Sequence, residues 1–509
     1  MRFSYPMTSK VQRNALGALV FIAAVGCGGG TTASGSGGAG GTGGGPGRSG
    51  GSGGPGGSSG AGGTGGGDQG GGGAGGAGGL PGGEVFWATA HKDTEEANHF
   101  GSDIVVAPDG TSLVVGHVAP TFTASALPQV LAFDADGTLS WSEIFTSGGA
   151  GTVTNVALDS AGNAIVGGNF LQSIDFGQGP IAATFSRELF VAKLSPSGSV
   201  IWAHAIVATE SLFGTGVAVD LNDDVIITAG LGGTVELPGV PPAVFGTKQM
   251  VVAKLAGDQG TTLWSQSLGD AGLGSPPVQA TVAPGGDLVL CGNLNGTSPL
   301  AGGLTSKGQD LFLATLDGNG VTSWANVYGD DGHQECGGVA VAADGSIVLG
   351  ANAGGTIDLG GGALQPIDGD FLDYDIVLAK LDASGNHIWS AIYGDEEPQT
   401  LEAVTLDEAG DILAVGSFYG MLDFGTPMTG NPAVTMLLGG FVTKLGDDGT
   451  HRWSLATEKN QGLAGFEGVA LDGDDAVLAA GTLGGLITVG AFDLEAFDGN
   501  ATVVAKIAP

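Results

Sequence analysis

The seven tryptophans of the chain recur at nearly constant intervals, and this repeat limits what the chain can fold into. They stand at positions 87, 141, 202, 264, 324, 389 and 453, which are 54 to 65 residues apart. Two other short stretches recur in almost every interval, one of the "VAKL" type, as at 191–194, and one of the "VALD" type, as at 156–159. Recurrence on this scale indicates repeated structural units that pack only on their neighbours.

Each unit is predicted to contain four short strands. In the second unit, apolar residues alternate with polar ones over 154–159, 164–170, 189–194 and 199–206, and Gly, Asn and Ser occupy the tight turns. No stretch shows convincing helical periodicity. The pattern therefore predicts an all-β fold, a seven-bladed β-propeller of four-stranded antiparallel blades over residues 84–509.

The two ends of this region complement each other. The last unit reaches residue 507 without a tryptophan-bearing fourth strand, whereas "EVFWATAH" at 84–91 is a fourth strand with no first three strands before it. We expect 84–91 to complete the last blade and close the ring, because closure removes the exposed edges of an open sheet. The tryptophans recur on the fourth strand and are expected to pack one blade against the next: Trp87, Trp141, Trp202, Trp264, Trp324, Trp389 and Trp453.

The repeated unit resembles the bacterial SBBP-type β-propeller repeat. The resemblance rests on "VALDSAGNAIVGGNF…IDFG…LFVAKLSPSGSVIW", covers about 84–509, and is weakest in the fourth unit, which has "LATL" at 313–316 and no D-F-G. It implies the propeller fold and supplies no catalytic motif. The stretch "KLDASGNHIW" at 380–389 is also similar to the docking motif of PQQ-type propellers. However, the units here are longer, and the three cysteines are not adjacent as that family's enzyme requires.

Residues 1–26 are predicted to be a lipoprotein signal peptide. Basic residues precede an apolar run of 11 residues at 15–25, which is too short to span a bilayer. "AVGC" at 24–27 resembles a bacterial lipobox, and this resemblance implies lipidation of Cys27; an ordinary secretory signal is the alternative. Residues 27–83 are predicted to be a disordered tether, since 34 of the 56 residues after Cys27 are glycine. The expected location is the cell envelope, outside the cytoplasm, at the outer membrane or cell surface.

The charge of the chain limits its partners. Acidic residues number 51 against 15 basic ones, and the formal net charge is −36. Phosphate backbones and anionic membrane surfaces repel such a surface, so nucleic acid is excluded and membrane contact is expected through the lipid anchor alone. The remaining partners are a protein or a glycan, bound by a monomer.

A binding face is predicted from the lengths of the connections. The second-to-third connections, such as 171–188, and the between-unit connections, such as 394–401, are long and emerge on the same side because strand directions alternate. Candidate binding residues on this side are Asp330, Asp331, Glu335, Asp395, Glu396 and Glu397. Clustered carboxylates could hold Ca²⁺, and His333 could join a transition-metal site, but no EF-hand-type loop is present. No cofactor, metal site or catalytic residue is predicted.

Two further features are structural candidates. Cys291 and Cys336 are expected on neighbouring blades near the loop side, where they form either a disulfide or two buried thiols. The lysines at 193, 254, 380, 444 and 506 recur at one place in the repeat, which indicates pairing with an aspartate or a path to solvent along the sheet.

The expected function is that of a lipid-anchored, non-catalytic binding or scaffold module of the cell envelope. The alternative is an extracytoplasmic propeller enzyme, a hydrolase, lyase or quinoprotein-like protein, with its site at the mouth of the central channel. The fold alone does not separate these two functions.

Overall fold

The computed structural model of the chain describes residues 82–94, 96–121, 124–185, 187–271, 278–367, 373–429, 438–459 and 462–509. The predicted signal peptide, Cys27 and nearly all of the predicted tether lie outside these residues. Within the described ranges the only helical element is the 3-10 turn Leu300–Gly302. In the same ranges no helix is long and apolar enough to cross a bilayer. The described chain is therefore an all-β structure.

The strands form antiparallel four-stranded units, which we call sheets one to seven in chain order. The strands of sheet one are Asn98–Val106, Ser112–Ala119, Leu127–Phe133 and Leu139–Ile144. Those of sheet two are Gly151–Leu158, Ala164–Phe170, Glu188–Leu194 and the first part of Val200–Val219. Those of sheet three are the rest of Val200–Val219, then Val225–Glu236, Gln249–Leu255 and Thr262–Asp270.

The remaining sheets repeat the same order of pairing, in which each strand is hydrogen-bonded to the next one in the chain. The strands of sheet four are Gln279–Val282, Leu288–Leu294, Asp310–Leu316 and Thr322–Tyr328. Those of sheet five are Gln334–Val341, Ile347–Ala353, Asp375–Leu381 and His387–Tyr393. Those of sheet six are Gln399–Leu406, Ile412–Phe418, Gly439–Leu445 and His451–Ala456. Those of sheet seven are Leu463–Leu471, Val477–Val489, Phe492–Ile507 and Val85–His91.

The seventh sheet joins the two ends of the described chain. Val85–His91 pairs antiparallel with Phe492–Ile507, and Trp87 lies opposite Lys506. Two backbone hydrogen bonds extend the contact, from Gly83 N to the carbonyl of Ala508 at 3.2 Å and from Ala508 N to the carbonyl of Glu84 at 2.7 Å. The last sheet thus takes its fourth strand from the beginning of the described region.

Consecutive sheets pack against each other through their first strands. Gln334–Val341 contacts Gln399–Leu406, and Asn98–Val106 contacts Leu463–Leu471 of sheet seven. The apolar core lies between the sheets, where side chains of two neighbours interdigitate. One buried cluster unites Ile376 of sheet five with Phe418 of sheet six. Burial between sheets, at roughly 25 cal/mol per Å² of apolar surface, is the main stabilising contribution in such a structure.

Each tryptophan packs on a glycine of the following sheet. These glycines close the third-to-fourth turns and have positive φ, a conformation that suits glycine. The tryptophan–glycine pairs are Trp87 with Gly137, Trp141 with Gly198, Trp202 with Gly260, Trp264 with Gly320, Trp324 with Gly385, and Trp389 with Gly449. Five of the indole N–H groups also donate to a backbone carbonyl of the same turn at 3.0–3.2 Å. Trp453 instead lies against Gly82 and Gly83, just before the N-terminal strand.

The recurrent lysines lie on third strands and pair with aspartates. In four sheets the partner follows the first strand of the same sheet. These pairs are Lys193 with Asp159 (2.8 Å), Lys254 with Asp220 (2.5 Å), Lys444 with Asp407 (2.8 Å) and Lys506 with Asp472 (2.6 Å). Sheet five has Ala342 where the others have aspartate, and its Lys380 pairs with Asp447 of sheet six. Of the two alternatives left open by the sequence, the structure has the ion pair.

Candidate functional site

The between-sheet connections and the second-to-third connections lie on one face, which we call the loop face. Three equivalent aspartates join the two sets of connections. Asp330 accepts from the N–H of Thr356 at 2.9 Å, and Asp395 accepts from Met421 at 2.7 Å. Asp270 accepts from Thr297 in the same way at 2.8 Å. The second-to-third connections are further ordered by short hairpins, such as Ile357–Asp358 with Ala363–Leu364.

Asp330 and Asp395, two of the predicted binding residues, are engaged in shaping this face. Asp330 also accepts from the N–H of Gly332 at 2.8 Å and from the amide of Gln334 at 3.1 Å. Burial acts to raise the pKa of Asp330, but these backbone and side-chain donors outweigh it and lower the pKa. Asp395 has the matching set of donors, including Gln399 Nε2 at 2.7 Å. A ligand would have to compete with these bonds.

The other predicted acidic residues have different surroundings. Asp331 and Glu396 are exposed and Glu397 is partly exposed, so these three are directed toward solvent on the loop face. Glu335 is turned inward, where its carboxylate accepts from Gln309 Nε2 at 2.8 Å and from the hydroxyl of Tyr374. Burial is the main cause that raises the pKa of Glu335. The predicted set therefore divides into carboxylates that shape loops, carboxylates that face solvent, and one inner carboxylate.

Two further carboxylates, which the sequence analysis missed, belong with Glu335. Glu402 and Glu467 each lie in a β-bulge of a first strand, where the register shifts between Leu401 and Ala403 and between Phe466 and Gly468. A bulge re-aims one side chain and commonly occurs at functional positions. The first strands of sheets five, six and seven are neighbours. Glu335, Glu402 and Glu467, which we call the inner carboxylates, therefore come from adjacent strands.

The inner carboxylates influence one another electrostatically. Burial raises the pKa of Glu467 to about 8, and the charge of Glu402 adds to this shift. The same charge contributes to the raised pKa of Glu335, after burial. Burial also raises the pKa of Glu402, although its side chain reaches water. Surrounding protein and water access together describe a narrow, wet space, in which a protonated and an ionised carboxyl can coexist at neutral pH.

Asp103 is a fourth carboxyl with a raised pKa on a first strand. Burial raises this pKa to about 6, against the effect of two backbone donors. Its carboxylate accepts from the N–H of Ile104 at 2.8 Å and from Val156 of sheet two at 3.0 Å. Asp103 therefore links sheets one and two.

Cys291 and Cys336 are disulfide-bonded in the structure, with their Cα atoms 5.9 Å apart. Cys291 lies on the second strand of sheet four and Cys336 on the first strand of sheet five. Beside the bond, the N–H of Cys336 donates to the side-chain oxygen of Asn293 at 2.8 Å. The bond thus ties two neighbouring sheets together covalently, which is one of the two outcomes that the sequence left open.

A cavity of about 260 Å³ lies at the turn end, opposite the loop face, between sheets four and five. Its lining includes Ala283, Thr315 and Asp344. Sheet four has Ala283 and Thr315 where sheets two, three, six and seven have the aspartate and the lysine of an ion pair. The missing side chains account for the space.

A group of a different kind lies in the connection from sheet seven to sheet one. His91, Asp93 and His99 bring two imidazoles and a carboxylate together. The sequence analysis missed this group because neither histidine occupies a repeated position.

Comparison with known proteins identifies no family. No protein-family profile matches the chain, and no curated protein is similar to it in sequence. Among solved structures, the chain is similar to a Dos1 propeller with 8% identity, covering 83% of this chain and 95% of that one at a TM-score of 0.43. It is also similar to the polysaccharide lyase Uly1, with 10% identity, 84% and 99% coverage and a TM-score of 0.45.

A third similar structure is the quinohemoprotein alcohol dehydrogenase from Comamonas testosteroni, with 11% identity, 83% and 76% coverage and a TM-score of 0.39. The similar structures thus include a named propeller and two enzymes. All three TM-scores are below 0.5, so they decide nothing about the function of this chain.

Proposed function

We propose that the chain is a seven-bladed β-propeller of the cell envelope that acts as a non-catalytic binding or scaffold module for a protein or a glycan. Two observations support the ring. Sheet neighbours follow one another in chain order, with sheet one also contacting sheet seven, and Val85–His91 supplies the fourth strand of the last sheet. The likeness to SBBP-type repeats and the lipid anchor at Cys27 are part of the proposal and rest on the sequence.

The loop face is the proposed binding surface, and the contrast between the two ends of the sheets carries this proposal. At the turn end, the third-to-fourth turns repeat one design, with a glycine against a tryptophan. At the loop face, the connections differ from sheet to sheet but are fixed to one another by Asp270, Asp330 and Asp395. A uniform scaffold end and a variable, ordered end is the usual arrangement of a binding protein.

Capture from envelope fractions tests this proposal. The full-length chain is compared with a triple variant, Asp331→Asn, Glu396→Gln and Glu397→Gln, which removes charge from the loop face. The matched control removes three exposed charges from the turn end, with Asp258→Asn, Glu408→Gln and Asp474→Asn. We expect the loop-face variant to lose a defined protein or glycan ligand and the control to retain it. Equal capture by both variants would contradict the proposed face.

The anchor is tested separately. We expect Cys27→Ala to shift the protein from the detergent phase to the aqueous phase in a Triton X-114 partition, because a diacylated cysteine is a strong membrane anchor. Unchanged partition of the variant would contradict lipidation at Cys27.

The inner carboxylates favour one alternative, an enzyme with its site among the first strands. A carboxyl with a pKa of about 8 remains protonated at neutral pH and can serve as a general acid beside an ionised partner. For a hydrolase or lyase, Glu467→Gln should abolish turnover of an active polysaccharide substrate, whereas Glu408→Gln should not. Absence of turnover across a panel of anionic and neutral polysaccharides would count against this alternative.

A further inference from the structure

Two histidines and an aspartate converge where the chain passes from sheet seven to sheet one. His91 ends Val85–His91, and His99 is the second residue of Asn98–Val106. His91 Nε2 lies 3.0 Å from Asp93 Oδ1, and His99 Nε2 lies 3.5 Å from Asp93 Oδ2. One ligand atom from each residue lies within 4.8 Å of the other two. Ligands bound at about 2.1 Å to a tetrahedral zinc ion are about 3.4 Å apart, so small side-chain movements suffice to coordinate one.

A second layer of contacts orients the ligands. His99 Nδ1 lies 2.9 Å from Gln129 Oε1, and because an amide oxygen only accepts, Nδ1 carries the proton. His99 Nε2 therefore presents its lone pair toward Asp93. Gln129 Nε2 lies 3.4 Å from Asp93 Oδ2 and donates to it. A metal-binding histidine that donates its other N–H to a fixed oxygen is the usual outer-shell arrangement.

The hydrogen bond that His99 now accepts is easily exchanged. The N–H of Asp93 donates to His99 Nε2 at 3.1 Å, and it belongs to a connection outside the strands. Metal binding would replace this single hydrogen bond with a coordinate bond. Burial is the main cause that lowers the pKa of His99, which keeps the imidazole neutral as a ligand must be.

Exposure is graded across the group. The side chain of His99 is 0% exposed, that of His91 14% and that of Asp93 33%. An ion can therefore enter from the Asp93 side, while the two imidazoles stand on strands. Three protein ligands leave a fourth position of a tetrahedral ion open toward the loop face.

We propose that His91, Asp93 and His99 bind a divalent transition-metal ion, with Zn²⁺ as the ion that this ligand set suits best. Two imidazoles and one carboxylate favour Zn²⁺ over the hard cations Ca²⁺ and Mg²⁺, which prefer oxygen ligands. The ion joins a ligand on sheet seven to a ligand on sheet one, so it fastens the N-terminal strand to the sheet that follows it. This site is independent of the proposed binding face.

Calorimetric titration of the purified full-length chain with ZnCl₂ tests the site. Excess Mg²⁺ and moderate salt are included, because a chain with a charge of −36 also attracts cations diffusely. We expect one equivalent of Zn²⁺ to bind, and Co²⁺ in its place to give the visible absorption of a tetrahedral site. His91→Ala and Asp93→Asn should each weaken the affinity for Zn²⁺ at least about tenfold, since each removes one of three ligands.

The variants avoid the buried His99, whose removal could unfold the protein. Gln129→Leu keeps all three ligands and is expected to weaken Zn²⁺ binding about 10- to 100-fold through loss of orientation. The matched control is His204→Ala, because His204 Nε2 is bonded to the carbonyl of Gln259 at 2.8 Å and lies outside the group. Its affinity for Zn²⁺ should equal that of the wild type. Absence of stoichiometric binding in excess Mg²⁺, or unchanged affinity in both His91→Ala and Asp93→Asn, would overturn the proposal.

Discussion

Gly320 shows how one residue of the third-to-fourth turn satisfies two requirements. Its φ of +84° is in the left-handed region, and a methyl group at this position would lie 3.1 Å from the Trp264 ring. A side chain would therefore strain the backbone and press on the tryptophan at the same time.

Gly320→Ala is accordingly expected to lower the free energy of unfolding by about 2 kcal/mol, as measured by the midpoint of urea unfolding. Gly318→Ala in the same turn is the control, since a methyl there meets only one atom, at 3.9 Å, and φ is ordinary. Equal losses in both variants would show that the contact between Gly320 and Trp264 is unimportant.

The pKa of Glu467 makes stability depend on pH. In the unfolded chain this carboxyl has its ordinary value of 4.5, whereas in the fold burial, aided by the charge of Glu402, raises it to about 8. Between these two values only the folded state retains the proton. Stability is therefore greatest below about pH 4.5 as far as this group is concerned, and it falls as pH rises toward 8.

Glu467→Gln removes this dependence. Relative to the wild type, the variant should gain on the order of 2 kcal/mol between pH 5 and pH 9, less than the full shift implies because the side chain is half-buried. Urea unfolding at several pH values measures the difference, with Glu408→Gln at an exposed turn as the control. A difference that does not vary with pH would show that Glu467 has an ordinary pKa.

At the scale of elements, the N-terminal strand has the most specific role. Val85, Ala88 and Ala90 pack against the core of sheet seven, and Trp87 packs on the turn of sheet one. Deletion of residues 82–91 would expose the edge of Phe492–Ile507 and remove both contacts.

We expect this deletion to cost more than about 3 kcal/mol and to promote aggregation, as followed by thermal unfolding and size-exclusion chromatography. Deletion of residues 28–79 removes more of the chain and should leave the unfolding temperature unchanged, because those residues are predicted to be a tether. Similar stability of the two deletion variants would mean that the strand does not contribute to the fold.

The strands were predictable because their signals are local and repeated. Ala164–Phe170 was predicted with its observed bounds, since alternating apolar residues and flanking turn residues determine a strand without long-range information. Val200–Val219 was predicted to end at 206, because its continuation into sheet three depends on pairing with Val225–Glu236.

The candidate sites were less predictable, because they depend on contacts between distant residues. Asp330 and Asp395 were identified as acidic loop residues, but their bonds to Thr356 and Met421 were not visible in the sequence. His91 and His99 lie on strands of two different sheets, and their approach follows from the pairing of the first and last strands of the described region.

For the whole molecule, the disulfide is the covalent tie between sheets. Cys291 and Cys336 are separated by 45 residues, so the bond shortens the unfolded chain by a loop of that length. In the chain-entropy account, closing such a loop stabilises the fold by about 4 kcal/mol.

The double variant Cys291→Ser and Cys336→Ser should therefore unfold at a lower urea concentration, with a loss of about 2–4 kcal/mol. The wild type treated with a reductant should approach the same midpoint, whereas the double variant should not respond to the reductant. A wild-type midpoint that is insensitive to complete reduction would exclude a stabilising role for the bond.

The continuous strand Val200–Val219 has a consequence for how the molecule opens. It belongs to sheets two and three at once, so neither sheet can detach without breaking hydrogen bonds of a shared element. Regions linked in this way exchange their amide hydrogens as one cooperative unit. Sheets two and three should therefore exchange with a common protection factor, while the other sheets are free to open one at a time.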